Sequence, residues 1–467
     1  MSAALLTVLV GCSDDGGGRG APRPDAAVGP EQGAKGGQVP WTGPALPGLA
    51  GTPAWSAPRD KSETGVRNSR DAVRVVGGGV VIVHEQATTP GGAGTDKVAW
   101  FHDARAGALR ATVSLKGIVS VETWRGMPAL VTREERKVPA SGLTAERSSL
   151  LVTAFDEQGR RIAVVDLTMA ADYSYKEIVS DGWVIRRGAG PDGKQHVWAR
   201  TADTPDFGPP VVTCGDRDKG CSDPGDFARG AAGSFALGTV FTIEYDKAAL
   251  VGHVVATDAA TGQRRWSTAT VTAPPGTPTD AQARDRQERA VVLGPVGDKI
   301  LLGWYTNETS NGSVTMGRGP MLLGLYDPVT GRLATPGPAP RVQSADFAYH
   351  LAPDGAVLYL SNRDQGGPHA LAWQVTSGTI LWQQTPSERP VVVWQIVNGA
   401  AYAAADASTS MSERVTIREA LVLSAADKSV LADPGPAGEL IPQVATGGYG
   451  VVATNERVWV FPPKPVT

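Results

Sequence analysis

One short pattern recurs along this chain and restricts its fold more than any other feature: an apolar strand, a tight turn carrying Asp and closed by Gly, then a second strand that opens toward a Trp. The fullest copy is 254–266, Val-Val-Ala-Thr-Asp-Ala-Ala-Thr-Gly-Gln-Arg-Arg-Trp. Asp258 and Thr261 are placed to hydrogen-bond the turn's own backbone, and Gly262 supplies the positive φ that closes it. Worn copies end at Gly107, Gly159, Gly331 and Gly378, and a further copy at Lys428 has lost its Gly. The spacing is regular. Gly107 to Gly159 is 52 residues, Gly331 to Gly378 is 47 and Gly378 to Lys428 is 50. The 103 residues from Gly159 to Gly262 leave room for two units, with a blurred copy near 201–205. The 69 from Gly262 to Gly331 hold one unit plus an insertion. A beat of about 50 residues made of four short strands predicts propeller blades and not helical repeats.

Runs of Val, Ile, Leu and aromatics bounded by Gly, Asp, Asn and Pro fill seven such units between 73 and 432. Three further strands follow, near 443–446, 450–454 and 458–461. The fourth is missing. The stretch 53–56, Pro-Ala-Trp-Ser, looks like the outer strand that follows a turn copy, as Trp266-Ser267 does. Borrowing it completes an eighth blade and removes two free sheet edges. The expected fold is therefore an all-β, eight-bladed propeller closed by an N-terminal strand, with seven blades as the alternative. The expected organisation is a lipoprotein signal over 1–12, a disordered linker over 13–51, one propeller domain over 52–462 and a tail over 463–467.

The N-terminal end carries an address. A short apolar run precedes Leu9-Val10-Gly11-Cys12, which resembles a bacterial lipobox in which Cys12 is lipidated. The run is too short to span a bilayer as a helix. The stretch after it is rich in Gly, Pro, Ala and Asp and has little to bury, so it reads as a disordered tether. An exported chain matures in an oxidising compartment, and there Cys214 and Cys221 are positioned to close a short disulfide loop. A net charge of −3, with Arg and Asp scattered and no basic stripe, argues against nucleic acid as a partner.

The pattern Ala256, Asp258, Thr261-Gly262 and Trp266 resembles the repeat of pyrroloquinoline-quinone-type, or quinoprotein-like, propellers. It covers most of 52–461 as a repeat and is strongest around Gly262 and Gly378. In that family the Trp docks onto the neighbouring blade, which implies an inter-blade packing role for Trp266 and Trp382 with their turn glycines Gly262 and Gly378. At the same slot elsewhere stand Thr335 and Ala111. The family's dehydrogenases hold calcium through carboxylates, use an aspartate base and often carry a vicinal disulfide. No Cys-Cys pair exists here. A quinone-dependent alcohol or sugar dehydrogenase is thus the alternative reading.

Other chemistry is poorly supported. Asp216, Asp218, Gly220 and Asp223 sketch a calcium loop, but the terminal bidentate Glu is missing and Cys221 interrupts it. The six His are dispersed, without a pair at metal-ligand spacing. No nucleophile elbow or phosphate loop is present. No catalytic residue, cofactor or metal is expected. The long connections, at 85–97, 134–149, 214–233, 271–289, 307–320 and 406–418, all fall where a four-stranded blade places its second-to-third and fourth-to-first links. They share one rim, and loops on a rigid scaffold are where binding resides. The expected function is a lipid-anchored, extracytoplasmic docking scaffold on the cell membrane, with an envelope protein, peptide or glycan as partner.

Overall fold

Each repeat folds into a sheet because its strands are nearly continuous apolar runs. In a blade stacked between two others, both faces of the middle strands need apolar cover, as in Val251–Asp258, buried at seven successive positions. The computed structural model describes residues 39–58, 73–86, 96–139, 146–168, 175–214, 234–246, 251–277, 287–305, 309–310, 313–314, 321–338, 347–362, 370–385, 387–409, 415–436, 440–454 and 456–464. Eight antiparallel sheets of four principal strands follow one another. Blades 1 to 7 occupy 73–115, 118–168, 175–213, 235–267, 290–336, 347–383 and 392–435. Blade 8 takes three strands from 444–461 and its outer strand, Trp55–Pro58, from the other end of the chain. Trp55 lies opposite Val460 and Ser56 opposite Trp459. The fold is an all-β, eight-bladed propeller.

The core closes in a circle. Eight apolar clusters each join one blade to the next, and the last returns from blade 8 to blade 1. Blade 5 shows how the period of two achieves this. Its Ala290, Val292, Ile300 and Leu302 pack toward Phe241 and Trp266 of blade 4. The alternate residues Val291, Leu293, Leu301 and Leu323 pack toward Leu358 and Trp373 of blade 6. A one-residue register slip would exchange the two sets, so neighbouring blades fix each other's pairing.

The first-to-second links are tight hairpins. Arg125-Gly126, Asp181-Gly182, Asn398-Gly399 and Leu237-Gly238 all have positive φ at both positions, the geometry of the type I′ turn that matches strand twist. Leu237, at φ 50°, has no polar side chain to bond its own turn, and a left-handed residue costs about 1–2 kcal/mol.

The closing segment is longer than the sequence suggests. Residues 41–51, read above as part of a disordered linker, pack against blades 7 and 8. Leu46 and Leu49 are buried with Tyr402, Ile441 and Phe461, and Trp41 meets Trp459 and Phe461 edge-on at 5.2 and 5.1 Å. Ala50 N donates to Pro462 O, Lys464 N to Gly48 O, and the Tyr402 hydroxyl to Pro47 O at 2.6 Å. The propeller domain therefore begins near Pro40, and Pro463 and Lys464 of the expected tail belong to it. Residues 1–12, with Cys12, lie outside the described residues.

Candidate functional site

The turn copies form the joints between blades. In three of them an Asp carboxylate accepts from the two backbone N–H groups ahead of it: Asp103 from Arg105 and Ala106, Asp258 from Ala260 and Thr261, Asp327 from Val329 and Thr330. The Ala106 N–H holds the Asp103 carboxyl below the usual range, and the Thr330 N–H does the same for Asp327. Burial pushes the Asp258 carboxyl up, but the Thr261 N–H and Arg265 outweigh it. The carbonyl just past this position then receives an indole from the preceding blade. Trp266 Nε1 donates to Pro328 O and Trp382 Nε1 to Ala425 O, both at 3.0 Å.

Trp55 makes the same contact across the closure, to Ala104 O at 2.8 Å. The receiving glycines are packed hard against these rings: a Cβ on Gly331 would stand 2.6 Å from Trp266 Cγ, and one on Gly107 2.6 Å from Trp55 Cγ. Gly262 and Gly378 are receivers too, but of smaller groups, Val211 and the strand carrying Thr335. Ala111 meets Gly159 in the same way. In the copy without glycine, Lys428 itself adopts φ 58° and its ammonium pairs with Glu388 at 2.7 Å.

The antiparallel order of each blade sends second-to-third and fourth-to-first links to the face opposite these joints. Five of the six long connections contain paired residues, and in two the blade's own ladder runs far into the connection. Met127–Val138 pairs with Arg147–Phe155 in blade 2, and Ala400–Thr409 with Val415–Ser424 in blade 7. Most of the remaining long connections lie outside the described residues, as do Asp216, Asp218 and Asp223. Cys214 is buried and disulfide-bonded; Cys221, its expected partner, lies outside them.

Charged side chains concentrate between blades 2 and 3. Arg133 of blade 2 donates to Glu122 Oε2 at 2.8 Å, to Ser120 Oγ at 3.1 Å and across to Val179 O of blade 3 at 3.4 Å. Burial pushes the Glu122 carboxyl up, yet the bonds from Arg133 and Ser120 hold it below the usual range. In blade 3, Arg186 pairs with Glu177 at 2.6 Å and lies 4.2 Å over the Phe207 ring, with Arg200 5.0 Å from the same ring.

At the rim end of blade 3 stands a group that the sequence did not disclose. His196 is 8% exposed. Its Nε2 is 2.8 Å from Asp192 Oδ1 and its Nδ1 is 3.0 Å from Thr213 Oγ1. His196 and Thr213 are direct cross-strand partners, and Asp192 sits in the turn between the second and third strands. A Cβ on Gly190 would lie 2.4 Å from the imidazole Cδ2, so the turn leaves room for the ring only with Gly there. The hydrogen bond from His196 and the Lys194 N–H keep the Asp192 carboxyl low. An ionised Asp192 accepts only, so Nε2 is the donor in that bond, and in the neutral ring Nδ1 then accepts from the Thr213 hydroxyl.

The cysteines are not adjacent, and among the described residues no three His, Cys, Asp or Glu side chains converge.

No protein-family model and no curated protein matches the chain. Solved structures similar to it are themselves propellers in two cases by description. The Dos1 propeller is 9% identical, with 84% of this chain and 92% of that one covered and a TM-score of 0.36. The β-propeller domain of the Trilobed protease from Pyrococcus furiosus, described as having an open velcro topology, is 9% identical over 73% and 92%, with a TM-score of 0.33. The computationally designed Ika8 protein is 13% identical over 84% and 95%, with a TM-score of 0.42. The blade count of this chain rests on its own strand pairing.

Proposed function

We propose that this chain is a lipid-anchored, extracytoplasmic propeller whose long-connection rim docks an envelope protein, peptide or glycan. The observation that carries the reading is the asymmetry of the two faces. One presents tight hairpins, the Asp-capped joints and the ten-residue link 202–211; the other receives the six longer connections. A scaffold presenting long loops on one side is suited to recognition. The lipobox-like Leu9–Cys12 and the disulfide at Cys214 support export. Lipid on Cys12 would hold the chain at the membrane.

The test is crosslinking on intact cells with the full-length chain and with a chain lacking 307–320. The deletion is expected to leave the circular-dichroism spectrum and melting unchanged, because surface loop length is thermodynamically cheap. Loss of the crosslinked partner supports rim docking; an identical crosslinking pattern overturns it.

A further inference from the structure

We propose that Asp192, His196 and Thr213 form a hydrolytic relay on the rim of blade 3, with Thr213 the nucleophile toward a carboxylic ester. This goes beyond docking and does not depend on it. The geometry is that of an activated nucleophile: a hydroxyl within hydrogen-bond reach of a base, and the base oriented by a third group. Here the two links measure 3.0 and 2.8 Å. Exposure also divides correctly. Thr213 is exposed on a two-residue outer strand, where a substrate can approach. His196 is buried behind it, held by the turn that Gly190 permits and flanked by Trp198 at 5.3 Å. His102, by contrast, is buried beneath Trp55 with its Nδ1 on the backbone oxygen of Gly107 and not on a hydroxyl.

The chemistry balances without a further reactant beyond water. Thr213 Oγ1 adds to the ester carbonyl carbon as His196 Nδ1 takes the hydroxyl proton. The tetrahedral adduct collapses, the bond to the alcohol oxygen breaks, and His196 returns the proton to the departing alcohol. Water then attacks the acyl-threonine with His196 again as base, releasing the acid and restoring Thr213. Asp192 touches no reacting atom; it is a positioning residue that keeps the proton on Nε2 and favours the imidazolium formed in each half-reaction.

The experiment uses the full chain with 4-nitrophenyl acetate, following nitrophenolate release and locating the acetyl group by peptide mass spectrometry. The expected result is acetyl on Thr213. His196→Gln should slow release by about 10²- to 10⁴-fold, the range for loss of a general base. Thr213→Val should abolish the adduct, and Thr213→Ser should retain it. Asp192→Asn should alter the pH profile of release and not only its rate. If His196 and Thr213 are merely a cross-strand latch, Thr213→Val lowers the melting temperature while wild-type and variant release nitrophenolate equally. That outcome, or acetyl found only on lysines, overturns the proposal. Where Thr213→Val fails to fold, the position of the acetyl group on the wild-type chain decides alone.

Discussion

Consider replacing Trp266 by Ala. The indole is 5% exposed, wedged between blades 4 and 5 against Gly331, and its Nε1 donates to Pro328 O. A buried Trp covers roughly 150–250 Å², and at about 25 cal/mol per Å² its loss is worth about 4–6 kcal/mol, close to the roughly 3–5 kcal/mol typical of Trp-to-Ala changes in cores. Trp266→Phe keeps most of the packing and loses the donor, so it should cost about 1 kcal/mol beyond the smaller ring. The sharper test pairs the ring with its receiver. Gly331→Ala places a methyl group 2.6 Å from Trp266 Cγ at φ 69°. In the wild-type background it should cost about 1–2 kcal/mol of left-handed strain and about 1–3 more of overpacking. In the Trp266→Ala background the clash with the indole is removed, while the strain and the close approaches to Val271 Cγ1 at 2.7 Å and to the Cβ of residue 266 at 2.8 Å remain. The coupling is therefore at most about 1–3 kcal/mol, read from urea unfolding by far-ultraviolet circular dichroism, because twelve tryptophans blur the fluorescence of one. Additivity of the two substitutions within about 0.5 kcal/mol would refute the joint.

Further outcomes follow from the same joints. Lys428 occupies the glycine position at φ 58°, so Lys428→Gly should be more stable than Lys428→Ala by about 1 kcal/mol, the reverse of the usual order; equal stabilities in urea would count against it. Stability should be flat through neutral pH and fall at both ends, as followed by melting temperature. Asp103, Asp258 and Asp327 have lowered folded values, so their contribution is complete above about pH 4, the unfolded value, and is lost as pH falls toward the folded ones. Burial raises Tyr359 to about 12 and raises Tyr402 as well, so their contribution holds up to about pH 10 and is lost above it; Tyr359→Phe should flatten that alkaline limb, and an unchanged limb contradicts the assignment. Removing residues 1–38 should leave melting unchanged, whereas removing 1–58 bares the edge of Arg457–Phe461 and the cluster around Tyr402 and should give oligomers on size exclusion. A monomer of unaltered stability would speak against closure.

Much of the ring is readable in the sequence because its determinants are local. Asp and Gly at fixed offsets write each turn, and apolar runs on both strand faces write each stack. Even the closing strand announces itself, since Trp55-Ser56 repeats Trp266-Ser267. What escapes is non-periodic or set by register. Trp41, Leu46 and Leu49 sit at irregular spacing among Pro and Gly, so nothing in 41–51 shows that they enter a groove lined by Tyr402 and Phe461. The Lys428 turn lacks its Gly, yet the joint survives because Ser424 and Ala425 keep the backbone contacts. Asp192, His196 and Thr213 come from a turn, a strand and a two-residue outer strand; only the pairing of His196 with Thr213 brings them together, and no motif encodes that register.

The central claim is that the two ends of this chain share one sheet, and a disulfide tests it most directly. Ala57 and Val458 are directly opposite. With Cys214 and Cys221 retained and Cys12 replaced by Ser, the double substitution Ala57→Cys and Val458→Cys should oxidise to an intramolecular bond that joins the N- and C-terminal peptides in a protease digest. Free thiols at both positions under conditions that oxidise Cys214, or bonds found only between separate molecules, would contradict the closed ring.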